Sequence, residues 1–159
     1  MIKVDLTINE FAQATVHARD RIFISAAMQL NHSTTYSRTL MKRFEEELTG
    51  ACAELAVGKL SGRWFVPSIN SFHRTPDCLA DVEVRGTVRP DGRLIVRDND
   101  PDDRKYVLCI VTGESVTVAG WMLGKDAKED RWVANPHGHR DAWFVPQSEL
   151  QAAELIFPE

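Results

Sequence analysis

Apolar and polar positions alternate along this chain in two different rhythms. From about Ile8 to Leu30 the residues are good helix formers with Phe11, Ile22 and Met28 among the apolar positions. Thr7 followed by Glu10 fits a capping box, in which each side chain satisfies the other's free backbone N–H. The first element is therefore predicted to be helical. Asn31-His32-Ser33-Thr34-Thr35 has turn and cap chemistry, after which Leu40, Phe44, Leu48, Cys52 and Leu55 recur at three- and four-residue steps. That spacing predicts a second helix to about Leu60, ended by Ser61-Gly62.

Beyond Gly62 the rhythm shortens to β-rich runs. Val82–Val88 and Leu94–Arg97 flank Pro90-Asp91-Gly92, and Tyr106–Thr112 and Ser115–Met122 flank Gly113. Together they read as an antiparallel meander. A short helix is expected near Lys125–Glu129, a loop at Pro136-His137-Gly138-His139, an apolar strand at Ala142–Val145, and a last short helix from Gln147, since Pro146 suits a helix start. The expected fold class is α/β in the α+β sense. A central sheet between Val66 and Trp121 is flanked by helices, two of them N-terminal to it, with the Leu40–Leu60 helix packed through Leu48, Cys52 and Leu55. No repeat, low-complexity tract or linker divides the chain, so residues 1–159 read as one domain.

Composition agrees with a globular chain: 43% of residues are hydrophobic and 26% charged. No apolar run is long enough for a membrane span, and the N-terminus lacks the apolar core of a signal peptide. The reading is a cytoplasmic protein without membrane contact. Cys52, Cys78 and Cys109 have no CxxC spacing and read as reduced, structural thiols. The net charge of −4 gives no global attraction to a polyanion. Any nucleic-acid contact must use a local patch, for which Arg85, Arg89, Arg93 and Arg97 are the candidates.

Candidate chemistry starts at Glu54, which has Gly50 and Gly58 one helical turn to either side. Two such glycines leave the carboxylate in a notch that another backbone or a ligand can approach, although a solvated glutamate on an outer helix face is the plain alternative. Pro76-Asp77 follows. Glu83-Val84-Arg85 then places an acid and a cation on one face of a strand. A divalent-metal phosphodiesterase needs these parts: two or three carboxylates to hold Mg²⁺, and a cation to offset charge on the phosphate.

With these residues the sequence resembles the PD-(D/E)xK nuclease superfamily, in particular small phage-type proteins with a GxxxE helix, a D…ExR/K strand region and a late Gly-Trp turn. The resemblance spans roughly Gly50 to Leu150 and also includes the LIVRDNDPDD and YVLCIV stretches, Gly120-Trp121 and Trp143-Phe144-Val145-Pro146. It implies a restriction-endonuclease-like central mixed sheet. It implies Glu54 as the helix acid, Asp77 and Glu83 as principal ligands of Mg²⁺ or Mn²⁺, and Arg85 at the motif's lysine position.

Arginine cannot act as a base at Arg85, though it can stabilise a transition state. Asp81 shares the strand face of Glu83 and competes with Asp77 as a metal ligand. Arg85 also has a purely structural reading, as the cross-strand partner of Asp98 across a two-residue turn; a three-residue turn would set it against Arg97 instead. The acidic run Asp98–Asp103 lacks the glycine and the terminal glutamate of a calcium loop and reads as a solvated loop between strands. His137 and His139 have no third ligand at supporting spacing. Trp64, Trp121, Trp132 and Trp143 can stack on bases or simply pack.

Two functions are expected from this reading. One is metal-dependent hydrolysis of DNA or RNA phosphodiesters by Glu54, Asp77, Glu83 and Arg85, in a bacterial or phage-infected cell. The other is a catalytically inactive module with the nuclease fold that binds nucleic acid, through arginines such as Arg89, Arg93 and Arg97, or a host protein, for example as an anti-defence factor. An assembly protein with no nucleic-acid role is a third reading.

Overall fold

The computed structural model describes residues 1–27, 39–62, 81–135 and 142–157. Expectations resting on Asn31–Thr35, Trp64, Val66, Asp77, Cys78, His137 and His139 lie outside these residues. Strand β1 (Ile2–Asp5) comes first, followed by helices α1 (Ile8–Ala27) and α2 (Leu40–Leu60). The capping box at the start of α1 forms as its residues require. Thr7 N–H donates to Glu10 Oε2 at 2.6 Å, and Glu10 N–H donates to Thr7 Oγ1 at 3.2 Å. Helix α2 is capped by the Thr39 hydroxyl, which accepts from Lys42 N–H, and gives way at Ser61-Gly62, where φ turns to 66°.

The β region comprises β2 (Val82–Thr87), β3 (Leu94–Arg97), β4 (Lys105–Thr112), β5 (Ser115–Leu123), β6 (Val133–Ala134) and β7 (Ala142–Val145), with a short helix α3 (Gly124–Ala127) between β5 and β6. Only single 3₁₀ turns, Gln147–Glu149 and Ala153–Leu155, stand where the last short helix was expected. The fold is α+β with a mixed central sheet in the order β1-β5-β4-β2, in which β2 runs parallel to β4 and the other pairs are antiparallel. A second sheet has the order β3-β7-β6.

The expected meander is only half present. β4 and β5 form the hairpin around Gly113, whose φ of 61° suits a two-residue turn. β2 and β3 do not pair with each other: β2 joins the edge of β4, and β3 crosses to the second sheet. The reason is burial. Leu94 and Val96 are fully buried against Tyr106 and Leu108 on the back of the central sheet, so β3 must lie over that sheet instead of beside β2. Strand β1 was not anticipated from the pattern, which begins the structure at α1.

Three layers result. On one face of the central sheet, Cys52, Leu55 and Val57 of α2 share an apolar cluster with Val82, Val84, Val107, Cys109, Val116 and Val118, with Leu48 packed at its margin. On the other face, Tyr106, Leu108 and Met122 pack with Leu94, Val96, Val145 and Trp132. Burying an aliphatic side chain contributes roughly 1.5–3 kcal/mol, so the two apolar faces of β4 and the single apolar face of β2 fix which side every intervening residue takes. No described helix is long and apolar enough to cross a membrane.

Candidate functional site

Side chains alternate along a strand, and Val82 and Val84 point into the helical layer. Glu83 and Arg85 therefore project from the opposite face, toward the second sheet. Arg85 confirms the side: its guanidinium lies 5.1 Å from the centre of the Tyr106 ring. Glu83 is 3% exposed and accepts a short hydrogen bond from Arg104, with Arg85 3.7 Å away on its other flank.

Arg85 reaches on to Asp100, donating to Oδ2 at 3.1 Å, and the Arg97 backbone N–H donates to the same oxygen at 2.9 Å. Asp100 is 2% exposed. Its position depends on the acidic loop, which is gathered around one ammonium: Lys128 donates to Asp98 O, Asp100 O and Asp102 Oδ1 at 3.2, 2.7 and 2.6 Å. Tyr106 donates its hydroxyl to Pro101 O, and burial, aided by the nearby Asp100 charge, holds its phenol above the usual range. The result is a chain of alternating charges, Arg104–Glu83–Arg85–Asp100, laid over an aromatic ring. Neither Asp98 nor Arg97 is the cross-strand partner of Arg85, because β2 and β3 belong to different sheets.

Glu54 lies elsewhere. Its Oε2 accepts from Arg21 of α1 at 2.6 Å, with both side chains nine-tenths buried in the seam between α1 and α2. Glu47 stands 3.8 Å from the same guanidinium. The notch left by Gly50 is filled by this arginine: a Cβ there would come within 3.6 Å of Arg21 Nη1 and 3.9 Å of Glu54 Oε1. The glycine at 50 thus marks a close approach, and the approaching group is a side chain of the protein itself.

The central sheet consequently separates Glu54 from Glu83 and Arg85. Asp77 lies outside the described residues. Asp81 is half-exposed at the entrance to β2 and pairs with Lys105 at 3.4 Å. Among the described residues no three His, Cys, Asp or Glu side chains converge on a point where a cation could sit. Glu54 and Glu83 therefore do not join in one Mg²⁺ or Mn²⁺ site: a divalent ion needs several oxygens at about 2.1 Å, whereas these two carboxylates lie apart and face guanidinium groups.

Arg21 and Arg104 of these networks escaped the sequence reading, and Asp100, expected on a solvated loop, is buried instead because Arg85 and the Arg97 N–H hold its carboxylate. Arg21 carried a signal, since it falls on the stripe Ala14, Ala18, Arg21, Ser25 that α1 buries, and a buried arginine requires a carboxylate. Of the arginine patch, Arg89 is engaged by Asp91 at 3.2 Å, while Arg93 and Arg97 are exposed and have no side-chain ion pair among the described residues. Cys52 and Cys109 are buried, and burial pushes the Cys52 thiol up to about 11. Trp121 and Trp132 are buried packing residues, each 8% exposed. No protein-family model, curated protein or solved structure matches the chain.

Proposed function

We propose that this chain is a noncatalytic module, built on a restriction-endonuclease-like plan, that binds nucleic acid. The observation that carries the reading is the division of the motif acids: Glu54 and Glu83 lie on opposite faces of the sheet, each held by arginine. Hydrolysis of a phosphodiester through one metal site needs those carboxylates together, with open coordination positions. Arginine-neutralised carboxylates serve folding instead. Nucleic acid is preferred over a protein partner because Arg93 and Arg97 project from the exposed side of β3 with no carboxylate at ion-pair distance among the described residues, in a chain whose net charge is −4. Unpaired arginines in such a chain are where phosphate would be met.

The test is incubation with single- and double-stranded DNA and RNA in millimolar Mg²⁺ and Mn²⁺, analysed in parallel for retention and for cleavage. Retention without cleavage is the expected result. Metal-dependent cleavage abolished by Glu83→Gln would establish the hydrolase in its place, and failure to retain any of the four substrates would exclude a nucleic-acid role.

A further inference from the structure

We infer that the outer face of the second sheet is a platform for single-stranded nucleic acid, formed by Arg93, Ile95 and Arg97 of the β3 segment and Phe144 of β7. This rests on the nucleic-acid-binding reading above and specifies the surface and the strand form.

The alternation of burial from Arg93 to Arg97 runs exposed, buried, exposed, buried, exposed. Leu94 and Val96 are turned into the core, so Arg93, Ile95 and Arg97 all face outward. Ile95 is directly opposite Phe144 in the antiparallel register, and Phe144 therefore shares that outer face. Ile95 is 37% exposed and Phe144 half-buried, which leaves an apolar and aromatic strip in contact with water.

Two cations flank that strip. Four residues of extended chain separate Arg93 from Arg97 by roughly 13 Å. Arg19, Arg21, Arg85, Arg89, Arg104 and Arg131 each have a carboxylate within ion-pair distance, but the side chains of Arg93 and Arg97, like that of Arg43 on α2, have none among the described residues. Asp91 is held below the usual carboxylate range chiefly by its hydrogen bond from Arg89, with Arg93 the last contributor. The arginines on the platform are thus free to meet an anion that extends past Ile95 in both directions.

A polymer with regularly spaced phosphates and planar bases matches both features. Phosphates meet the two guanidinium groups, and a base between them stacks on Phe144 and covers Ile95. Duplex would satisfy the charges but offers no base face to the ring, so the apolar strip favours single strands. An acidic peptide would likewise satisfy only the charges.

Fluorescence anisotropy of a labelled oligo(dT) of about 20 nucleotides, longer than one binding site, reads this directly. The unmodified protein should bind it more tightly than the corresponding duplex or an oligoglutamate peptide. Each phosphate contact on single strands contributes about 0.7 to the slope of log K against log salt, so Arg93→Gln/Arg97→Gln should lower that slope by about 1.4. Phe144→Leu keeps an apolar side chain but removes the ring, and should weaken binding at least about fivefold with an unchanged melting temperature. Arg89→Gln, which alters an arginine already held by Asp91, should leave affinity within about twofold.

Failure has two distinguishable forms. If the unmodified protein binds none of the nucleic acids, the functional reading falls with the platform. If it binds oligo(dT) but the double variant and Phe144→Leu bind as before, the functional reading stands and the platform is wrong. Equal affinity for the duplex or for oligoglutamate overturns the single-strand assignment.

Discussion

Arg21 and Glu54 join the first two helices through a 2.6 Å ion pair whose side chains are only 8% and 7% exposed. A charge so placed is stable only with its partner. Glu54→Ala removes the nearer of two carboxylates that face the buried guanidinium, with Glu47 3.8 Å away, and should cost about 3–5 kcal/mol in urea denaturation. Replacing both residues by apolar ones, Arg21→Met with Glu54→Leu, should recover most of that loss, because the desolvation of two charges disappears together. A double variant no more stable than Glu54→Ala would contradict this account of the pair.

Glu83 is flanked by Arg104 and Arg85, and Arg85 is anchored in turn by Asp100. Glu83→Ala places two guanidinium groups side by side without the intervening negative charge. A loss of about 3 kcal/mol is expected, with Glu83→Gln intermediate because it keeps the acceptor oxygen. Since the carboxylate is committed to arginines, millimolar Mg²⁺ or Mn²⁺ should leave the melting temperature of the unmodified protein unchanged. A ligand specific for the folded state would raise it by mass action, so a rise that Glu83→Ala removes would show that the carboxylate exchanges arginine for metal.

Much of this arrangement was legible in the sequence, and the reason for the remainder is physical. The capping box at Thr7 and Glu10, the apolar steps of α2 and the Gly113 turn are local signals, and each produces the element it predicts. Strand alternation likewise places Glu83 and Arg85 on one face. Alternation says which side chains turn inward together but not which layer they meet. It could not show that β3 leaves β2 for a second sheet, or that Glu54 and Glu83 face away from each other. Strand β1 escaped because its four residues bury little beyond Val4 and depend on β5 for their pairing. The acids at 54 and 83 looked like one site because a motif records order along the chain, whereas a site depends on the rotation of a helix over a sheet.

Gly120 gives a steric prediction. The pairing of β4 with β5 shifts between Leu108 and Cys109, leaving Ala119 as an extra residue, so that Val118 and Trp121 both reach the helical layer. At this irregularity the C-terminal segment docks: Trp121 N–H donates to Gln151 O at 3.1 Å, and Gln151 N–H donates to Trp121 O at 2.9 Å. A Cβ on Gly120 would lie 2.5 Å from Gln151 O and 2.8 Å from Leu150 Cβ. Neither atom is the free end of a flexible chain. Gly120→Ala should therefore cost about 1–3 kcal/mol and speed hydrogen exchange at the Gln151 amide, as the segment is pushed from β5. Unchanged exchange at that amide would show that the docking survives the added methyl group.

His17 makes stability depend on pH just below the ordinary histidine value. It is 9% exposed on the buried stripe of α1, and its Nδ1 has no hydrogen-bond partner among the described residues. Burial, and then the Arg21 charge one turn along, hold its pKa below the ordinary histidine value, against a smaller opposing pull from Asp20. In the unfolded chain the imidazole takes up its proton near pH 6.5, while in the folded protein it resists protonation until the pH is lower. Above about pH 6.5 both states are neutral and the contribution of His17 is complete. As pH falls below that value the unfolded state binds more protons, and stability declines until the folded pKa is passed. Asp5 and Glu10, whose pKa values are also lowered in the fold, contribute above their ordinary values of 3.8 and 4.5 and lose that contribution only as pH falls below them, so their effects come later. The other four histidines are common to the unmodified protein and a His17→Gln variant, so the difference between the two proteins reads position 17. Urea midpoints measured between about pH 7.5 and pH 5 should fall more steeply for the unmodified protein than for His17→Gln. Parallel curves would mean that His17 gains no proton on unfolding in that window, and hence that its burial does not favour the neutral ring.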